Sequence, residues 1–258
     1  MINVNPIFER ETIASEIKAL LSSFEEKISD VSYKKGIYIY GSPGSGKTQF
    51  VVQLLNELNY DVIKYDAGDV RNKALIETIA SNNVSNRNVL DMMSGRVRKL
   101  AIVMDEIDGM NNGDKGGITA LIKLIRQKKT KKQRLESLTM NPIICIGNYY
   151  IDKKMRELMK VCNVFELKSP TTSQMNTLLR QHMKHQQIAD TNNLDVILNY
   201  IQGDMRKLSF VLDIFKKMPN LLDENNKLMD IFQRKSCNED AKLITKRLIN
   251  SPISIQNH

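Results

Sequence analysis

Short apolar runs rich in β-branched residues alternate with amphipathic stretches through the first two thirds of the chain. The runs at 37–40, 62–65, 100–104, 143–147 and 164–167 have the length and composition of strands. Between them, 47–58, 73–81, 117–127 and 153–160 repeat apolar residues at helical spacing, and a further amphipathic helix is expected over 11–28. Such βα alternation predicts an α/β fold with a five-stranded parallel sheet flanked by helices. Past Ser169-Pro170 the strand pattern stops. Segments 173–185, 194–200 and 205–217 are helical only, and Met218-Pro219-Asn220 breaks the run. The expected organisation is an α/β domain over 1–168, a small all-helical domain over 169–220 and a polar tail over 221–258 with one helix near 241–249. The Asn-rich stretch 81–88 reads as a surface loop, and there is no internal repeat.

Composition narrows the class. The 258 residues are 41% hydrophobic and 26% charged, ordinary for a globular chain. No apolar run approaches the roughly 18–20 residues that span a bilayer, and the first residues lack the basic and apolar regions of a secretory signal. Cys145, Cys162 and Cys237 are an odd set at unpatterned spacing, which speaks against a disulfide framework or structural zinc and for an intracellular, reducing compartment. The net charge of +9 favours a polyanionic partner. Most of it lies in one place: Lys115, Lys123, Arg126, Lys128, Lys129, Lys131, Lys132 and Arg134 stand in a stretch without any acid, alone worth +8.

Three groups of residues carry candidate chemistry. Gly41-Ser42-Pro43-Gly44-Ser45-Gly46-Lys47-Thr48 fits G-x-x-x-x-G-K-[ST] between an expected strand and an expected helix. The glycines let backbone N–H groups turn inward around a phosphate, and the helix N-terminus adds partial positive charge. Lys47 is placed to reach the β and γ phosphates of a nucleoside triphosphate, and Thr48 to ligate Mg²⁺. The apolar run 100–104 ends in Asp105-Glu106. There Asp105 suits the Mg²⁺ and Glu106 suits the base that takes a proton from the attacking water. The run 143–147 ends in Asn148. In a parallel sheet it would stand beside the Asp105 tip, where an amide orients water or touches the γ-phosphate. Taken alone, an Asn there is more often a turn former, and it is the other two motifs that favour the sensor.

Together these residues resemble the AAA+ ATPases, and among them the large subunits of replication factor C, the sliding-clamp loader. The resemblance runs from about Gly36 to Phe215. It rests on Asp105-Glu106-Ile107-Asp108-Gly109-Met110 with Gly116-Gly117-Ile118, on Asp69-Val70-Arg71-Asn72-Lys73, on Ile143-Ile144-Cys145-Ile146-Gly147-Asn148, on Lys154-Met155-Arg156 and on Val161-Cys162. It implies an ATP- and Mg²⁺-dependent ATPase that loads a sliding clamp onto primer-template DNA, in the nucleus or at a viral or cytoplasmic replication site, without a membrane partner. Gly203-Asp204-Met205-Arg206 is similar to the family's second sensor and would put Arg206 on the γ-phosphate; without the resemblance Arg206 reads as a solvated helix arginine. Lys123, Arg126, Lys128, Lys129, Lys131 and Lys132 become candidate DNA-phosphate contacts, against the reading of a solvated basic loop. Val89, Leu90, Met92 and Met93 become candidate clamp contacts, against the reading of ordinary core.

Two departures matter. Small clamp-loader subunits carry Ser-Arg-Cys, whose arginine serves a neighbour's ATP, whereas Lys160-Val161-Cys162 stands here. This fits a large subunit that receives its arginine finger from a different subunit of a hetero-oligomer. The tail 221–258 would be a truncated remnant of the family's helical collar. Two other readings remain: an origin-recognition or helicase-loader type of AAA+ initiator, which Phe8-Glu9-Arg10-Glu11 before a helix resembles, and a subunit that binds nucleotide with little ATPase activity.

Overall fold

The computed structural model describes residues 7–27, 30, 32–66, 99–111, 117–127, 130–131, 141–149, 153–182, 191–217 and 232. The expected helices at 73–81 and 241–249, the loop at 81–88 and the break at 218–220 lie outside them. In chain order the elements are α1 (Glu11–Ser22), α2 (Phe24–Lys27), β1 (Gly36–Tyr40), α3 (Lys47–Glu57), β2 (Tyr60–Tyr65), β3 (Lys99–Met104), a 3-10 turn (Ile107–Asn111) and α4 (Gly117–Ile125). There follow β4 (Ile143–Gly147), α5 (Lys153–Val161), β5 (Cys162–Glu166), α6 (Thr172–His182), α7 (Thr191–Ile201) and α8 (Met205–Lys217).

The five strands form one parallel sheet in the order β2-β3-β4-β1-β5. Successive side chains alternate faces, and the sequence fills both faces. Tyr38, Ile102, Met104, Ile143 and Cys145 pack beneath Ile118, Leu121, Leu124 and Ile125 of α4 and Met155 and Leu158 of α5. Ile37, Ile39, Ala101, Val103, Ile144 and Ile146 meet Ile17 and Leu21 of α1 and Phe50, Val51, Leu54 and Leu55 of α3. This double burial explains the near-continuous apolar runs of β1, β3 and β4. The register sets Tyr40 opposite Gly147 and Met104 opposite Cys145, so the chain leaves β1, β3 and β4 at one edge. In open parallel sheets ligands bind beyond the carboxyl ends of the strands.

Helices α6, α7 and α8 gather around a separate core of Met175, Leu178, Leu179, Ile197, Ile201, Leu208, Val211 and Phe215, which also takes in Phe8 and Phe232. Met205 N donates to Gly44 O at 2.8 Å, tying the start of α8 to the loop after β1.

Two expectations need correction. The N-terminal helix is not continuous over 11–28: α1 ends at Ser22, and the four-residue α2 starts at Phe24. Ser23 Oγ and Tyr33 Oη both donate to Leu20 O, at 3.3 and 2.9 Å, taking up an acceptor that a continuing helix would use. The last strand is Cys162–Glu166 rather than 164–167, because Cys162 pairs with Gly36 at the start of β1.

Candidate nucleotide-binding site

The loop between β1 and α3 turns on glycines at positive φ, Gly44 at 77° and Gly46 at 84°. A side chain is strained in that region. At Gly44 it is also blocked, because a Cβ would lie 2.4 Å from the Asp204 carboxylate. The turn carries successive backbone N–H groups to the N-terminus of α3, an arrangement that favours a phosphate. The loop borders a cavity of about 490 Å³, closed on the other sides by Asp105, Glu106, Asn148, Met205 and Arg206. That volume lies within the range of small-molecule and cofactor sites.

Lys47 opens α3 and is buried. Its ammonium donates to Gly41 O at 3.0 Å, Ser42 O at 2.8 Å and Asn148 Oδ1 at 3.0 Å. Burial lowers its pKa below the ordinary lysine value, while Asp108 and Asp105 pull it back upward. Beside it, Thr48 Oγ1 donates to Asp105 Oδ2 at 2.8 Å. Asp105 is buried at the end of β3, with its N–H on Tyr65 O at 2.8 Å. A hydroxyl and a carboxylate this close, both bordering a phosphate-shaped loop, are the hard oxygen donors that Mg²⁺ takes. The residues therefore fit both ATP and Mg²⁺.

Glu106 follows at φ 52°, an uncommon value for a non-glycine residue, and is exposed on the cavity wall. Its N–H donates to Asp105 Oδ1 at 3.0 Å. Asn148, one residue past β4, donates from Nδ2 to Asp108 Oδ2 at 3.0 Å while its carbonyl end holds Lys47. Arg206 is exposed in the first turn of α8, with its N–H on Asp204 Oδ1 at 2.8 Å. Lys47, Thr48, Asp105, Glu106, Asn148 and Arg206 thus line one cavity, as do Pro43, Gly44 and Gly46. Gly41 and Ser42 meet it through the carbonyls that hold Lys47, and Ser45 is buried beneath it.

Several pairings were not visible in the sequence. Lys64 Nζ, on β2, lies 3.1 Å from Asp105 Oδ2 and 3.2 Å from Asp66 Oδ1. The parallel neighbours Tyr65 and Met104 bring it there, and only the strand order could have revealed it. Arg10 is buried behind the loop; Nη2 donates to Ser45 O at 2.8 Å and Lys168 O at 3.2 Å, and the guanidinium lies 4.8 Å over the Phe8 ring. Burial pushes its pKa down to about 10, so it stays charged at neutral pH.

The other candidates are spread elsewhere. Lys123 is exposed on α4, opposite its buried face; Arg126 follows it half-buried, and Lys131 is exposed. Lys128, Lys129 and Lys132 lie outside the described residues, as do Val89, Leu90, Met92 and Met93. Lys160 is exposed at the end of α5, and Cys162 is buried in β5, where burial pushes its thiol up to about 12. No described helix is long and apolar enough to cross a membrane.

Comparison with known proteins agrees with this geometry. Residues 37–169 match the ATPase family associated with various cellular activities. The chain is 29% identical to a replication factor C large subunit of Methanococcus aeolicus over 214 residues, covering 82% of this chain and 41% of that protein. It is 27% identical to replication factor C subunit 1 of Saccharomyces cerevisiae over 225 residues, covering 84% of this chain and 24% of that protein. The chain thus spans less than half the length of these curated relatives. Among solved structures, the ORC2 protein of Aeropyrum pernix in its ADP form matches with a TM-score of 0.59 at 13% identity, over 98% of this chain and 76% of that one. The RuvB Holliday junction branch migration motor of Thermotoga maritima gives 0.56 at 13% identity, over 93% and 76%. At those identities the two structures speak for the fold: an AAA+ P-loop sheet with flanking helices. The match spans more than half of the chain and encloses the phosphate-binding loop, the acidic end of β3 and Asn148, so the chain belongs to the AAA family of ATPases.

Proposed function

We propose that this chain is a clamp-loader ATPase of the replication factor C large-subunit kind, which binds and hydrolyses ATP to place a sliding clamp on primer-template DNA. The observation that carries the proposal is the convergence of Lys47, Thr48, Asp105, Glu106, Asn148 and Arg206 on one cavity, in a chain whose sequence relatives are replication factor C large subunits. The α/β part over 1–168 is the catalytic unit, the helical part over 169–220 acts as a lid, and 221–258 belongs to a collar.

In this reading the N–H groups of residues 41–48 and the Lys47 ammonium hold the phosphates. Thr48 Oγ1 and Asp105 would hold Mg²⁺, which would supply positive charge against the phosphates. Glu106 accepts the proton of the attacking water as its oxygen bonds to the γ-phosphorus and the bridging oxygen leaves with ADP. Asn148 orients that water, and Arg206 approaches the γ-phosphate from α8. An arginine finger is worth about 10³–10⁵ in rate. Lys160, with its point charge, replaces a planar guanidinium poorly. The chain therefore takes its finger from a different subunit of a hetero-oligomer and donates none, and alone it turns over ATP slowly. Lys123, Arg126, Lys128, Lys129, Lys131 and Lys132 track the DNA backbone, and Val89, Leu90, Met92 and Met93 meet the clamp, at an intracellular site of DNA replication.

The test is ATP turnover by the chain with its partner subunits, with and without primed DNA and the clamp. Stimulation that requires both supports the reading. Preference for double-stranded origin DNA without a clamp would favour an initiator, the reading to which Phe8 and Arg10, placed against the α6–α8 core and the loop, lend support. No turnover under any condition would leave a nucleotide-binding structural subunit. Reversing Lys123, Arg126 and Lys131 to Glu should weaken binding to all DNA sequences alike. It should also lower the salt slope by about 1 for each DNA phosphate the variant no longer neutralises.

A further inference from the structure

Asp108 takes no part in the chemistry proposed for Asp105 and Glu106, and it does not line the cavity as they do. The backbone delivers it elsewhere. After β3 the chain reverses at Glu106, φ 52°, and Gly109 N closes the 3-10 turn on Glu106 O at 2.9 Å. Ile107 is wholly buried in the core under α4 and α5, which anchors the turn. Asp108 thereby lies at the tip of β4, where Oδ2 accepts from Asn148 Nδ2 at 3.0 Å. Its Oδ1 is buried without a hydrogen-bond partner among the described residues.

The amide of Asn148 has one donor end and one acceptor end. A carboxylate only accepts and an ammonium only donates, so the pair Asp108 and Lys47 determines which end faces which. In the reversed orientation the amide nitrogen would face the ammonium and its oxygen the carboxylate, both repulsive. We propose that Asp108 is the positioning residue for Asn148, fixing the amide with its carbonyl oxygen toward Lys47 and the cavity; the catalytic consequence rests on the reading of the cavity as an ATP-hydrolysing site.

The consequence follows from Lys47. Its three N–H groups are all used, on Gly41 O, Ser42 O and Asn148 Oδ1. To reach a phosphate, Lys47 gives up one of these, and Asn148 is the side-chain partner among the three. The released carbonyl stays aimed into the cavity because Asp108 still holds the other end of the amide. Asn148 then meets the attacking water as a hydrogen-bond acceptor.

The test uses the full chain labelled with ¹⁵N, without nucleotide, and follows the Asn148 side-chain amide, identified by its loss in Asn148→Ala. The expected wild-type signal is an amide pair of which one proton, the donor to the Asp108 carboxylate, is shifted downfield and exchanges slowly with water. Asp108→Ala should return that proton to the shift and exchange rate of a solvent-exposed amide. Asp108→Asn, which keeps an acceptor oxygen without the charge, should fall between, and it serves if Asp108→Ala does not fold. In the assembled complex Asp108→Ala should lower kcat by about 10- to 100-fold, the cost typical of removing an orienting partner. KM should change by no more than about threefold. In the Asn148→Ala background Asp108→Ala should add nothing. An Asn148 resonance unmoved by Asp108→Ala, or rate losses that multiply in the double variant, would overturn the proposal. Absence of turnover in the wild-type complex would instead defeat the functional reading, and the amide signal would still decide the role of Asp108.

Discussion

Thr48 Oγ1 and Asp105 Oδ2 lie 2.8 Å apart, joining the first turn of α3 to the end of β3 across 57 residues of sequence. Lys64 Nζ reaches the same carboxylate oxygen at 3.1 Å. In the proposed site Asp105 would share Mg²⁺ with Thr48, while Lys64 would compete with the metal for the same carboxylate oxygen. Asp105→Asn should weaken Mg²⁺-dependent nucleotide binding at least about tenfold. Lys64→Ala should strengthen it by about two- to fivefold, a modest gain because the lysine is half exposed. Titrating Mg²⁺ into each variant with a fluorescent ATP analogue measures both, and shifts in the same direction would contradict the competition.

Gly44 joins the loop to the start of α8. Gly44→Ala places a methyl against the Asp204 carboxylate at a φ of 77°. The backbone strain alone costs about 1–2 kcal/mol. For a chain of this size that lowers Tm by about 2–8 °C, at about 2–4 °C per kcal/mol. Thermal unfolding by circular dichroism reads the loss. Asp204→Ala in the same chain should recover part of it by clearing the methyl, leaving the φ strain.

Parts of this site could be read from the sequence and parts could not, for a physical reason. The phosphate-binding loop is eight consecutive residues whose chemistry and spacing are fixed by the turn itself. The acidic end of β3 and Asn148 stand out because each follows an apolar run buried on both faces. Lys47 and Asn148 are 101 residues apart, and Arg10 and Ser45 are 35 apart. Those meetings depend on the order β2-β3-β4-β1-β5, which hydrophobic periodicity does not encode. The same holds for the end of α1, where the Tyr33 hydroxyl reaches back to Leu20. Arg206 drew its role from family likeness; in the structure it borders the cavity while remaining exposed.

Burial holds the Lys47 pKa below that of an ordinary lysine, and a bound phosphate raises it again by favouring the charged form. Binding therefore takes up a proton once the free-state Lys47 begins to deprotonate. Nucleotide affinity should be at its full value below that free-state pKa. It should fall as pH rises through it, beginning below the pH where an exposed lysine titrates. Lys47→Arg keeps its charge over this range and should flatten the curve. Binding isotherms from neutral to alkaline pH check the sign; affinity that rises with pH would refute it.

In the proposed function Glu106 activates water for ATP hydrolysis, in a site that other subunits complete. The most direct measurement compares single-turnover hydrolysis of ATP by wild type and Glu106→Gln, each bound to its partner subunits, with ATP binding measured in parallel. Glu106→Gln spares Thr48 and Asp105, so ATP should bind both proteins equally. The variant should lose hydrolysis by about 10²-fold or more, the share a positioned base contributes. Equal turnover by the two proteins would contradict the account.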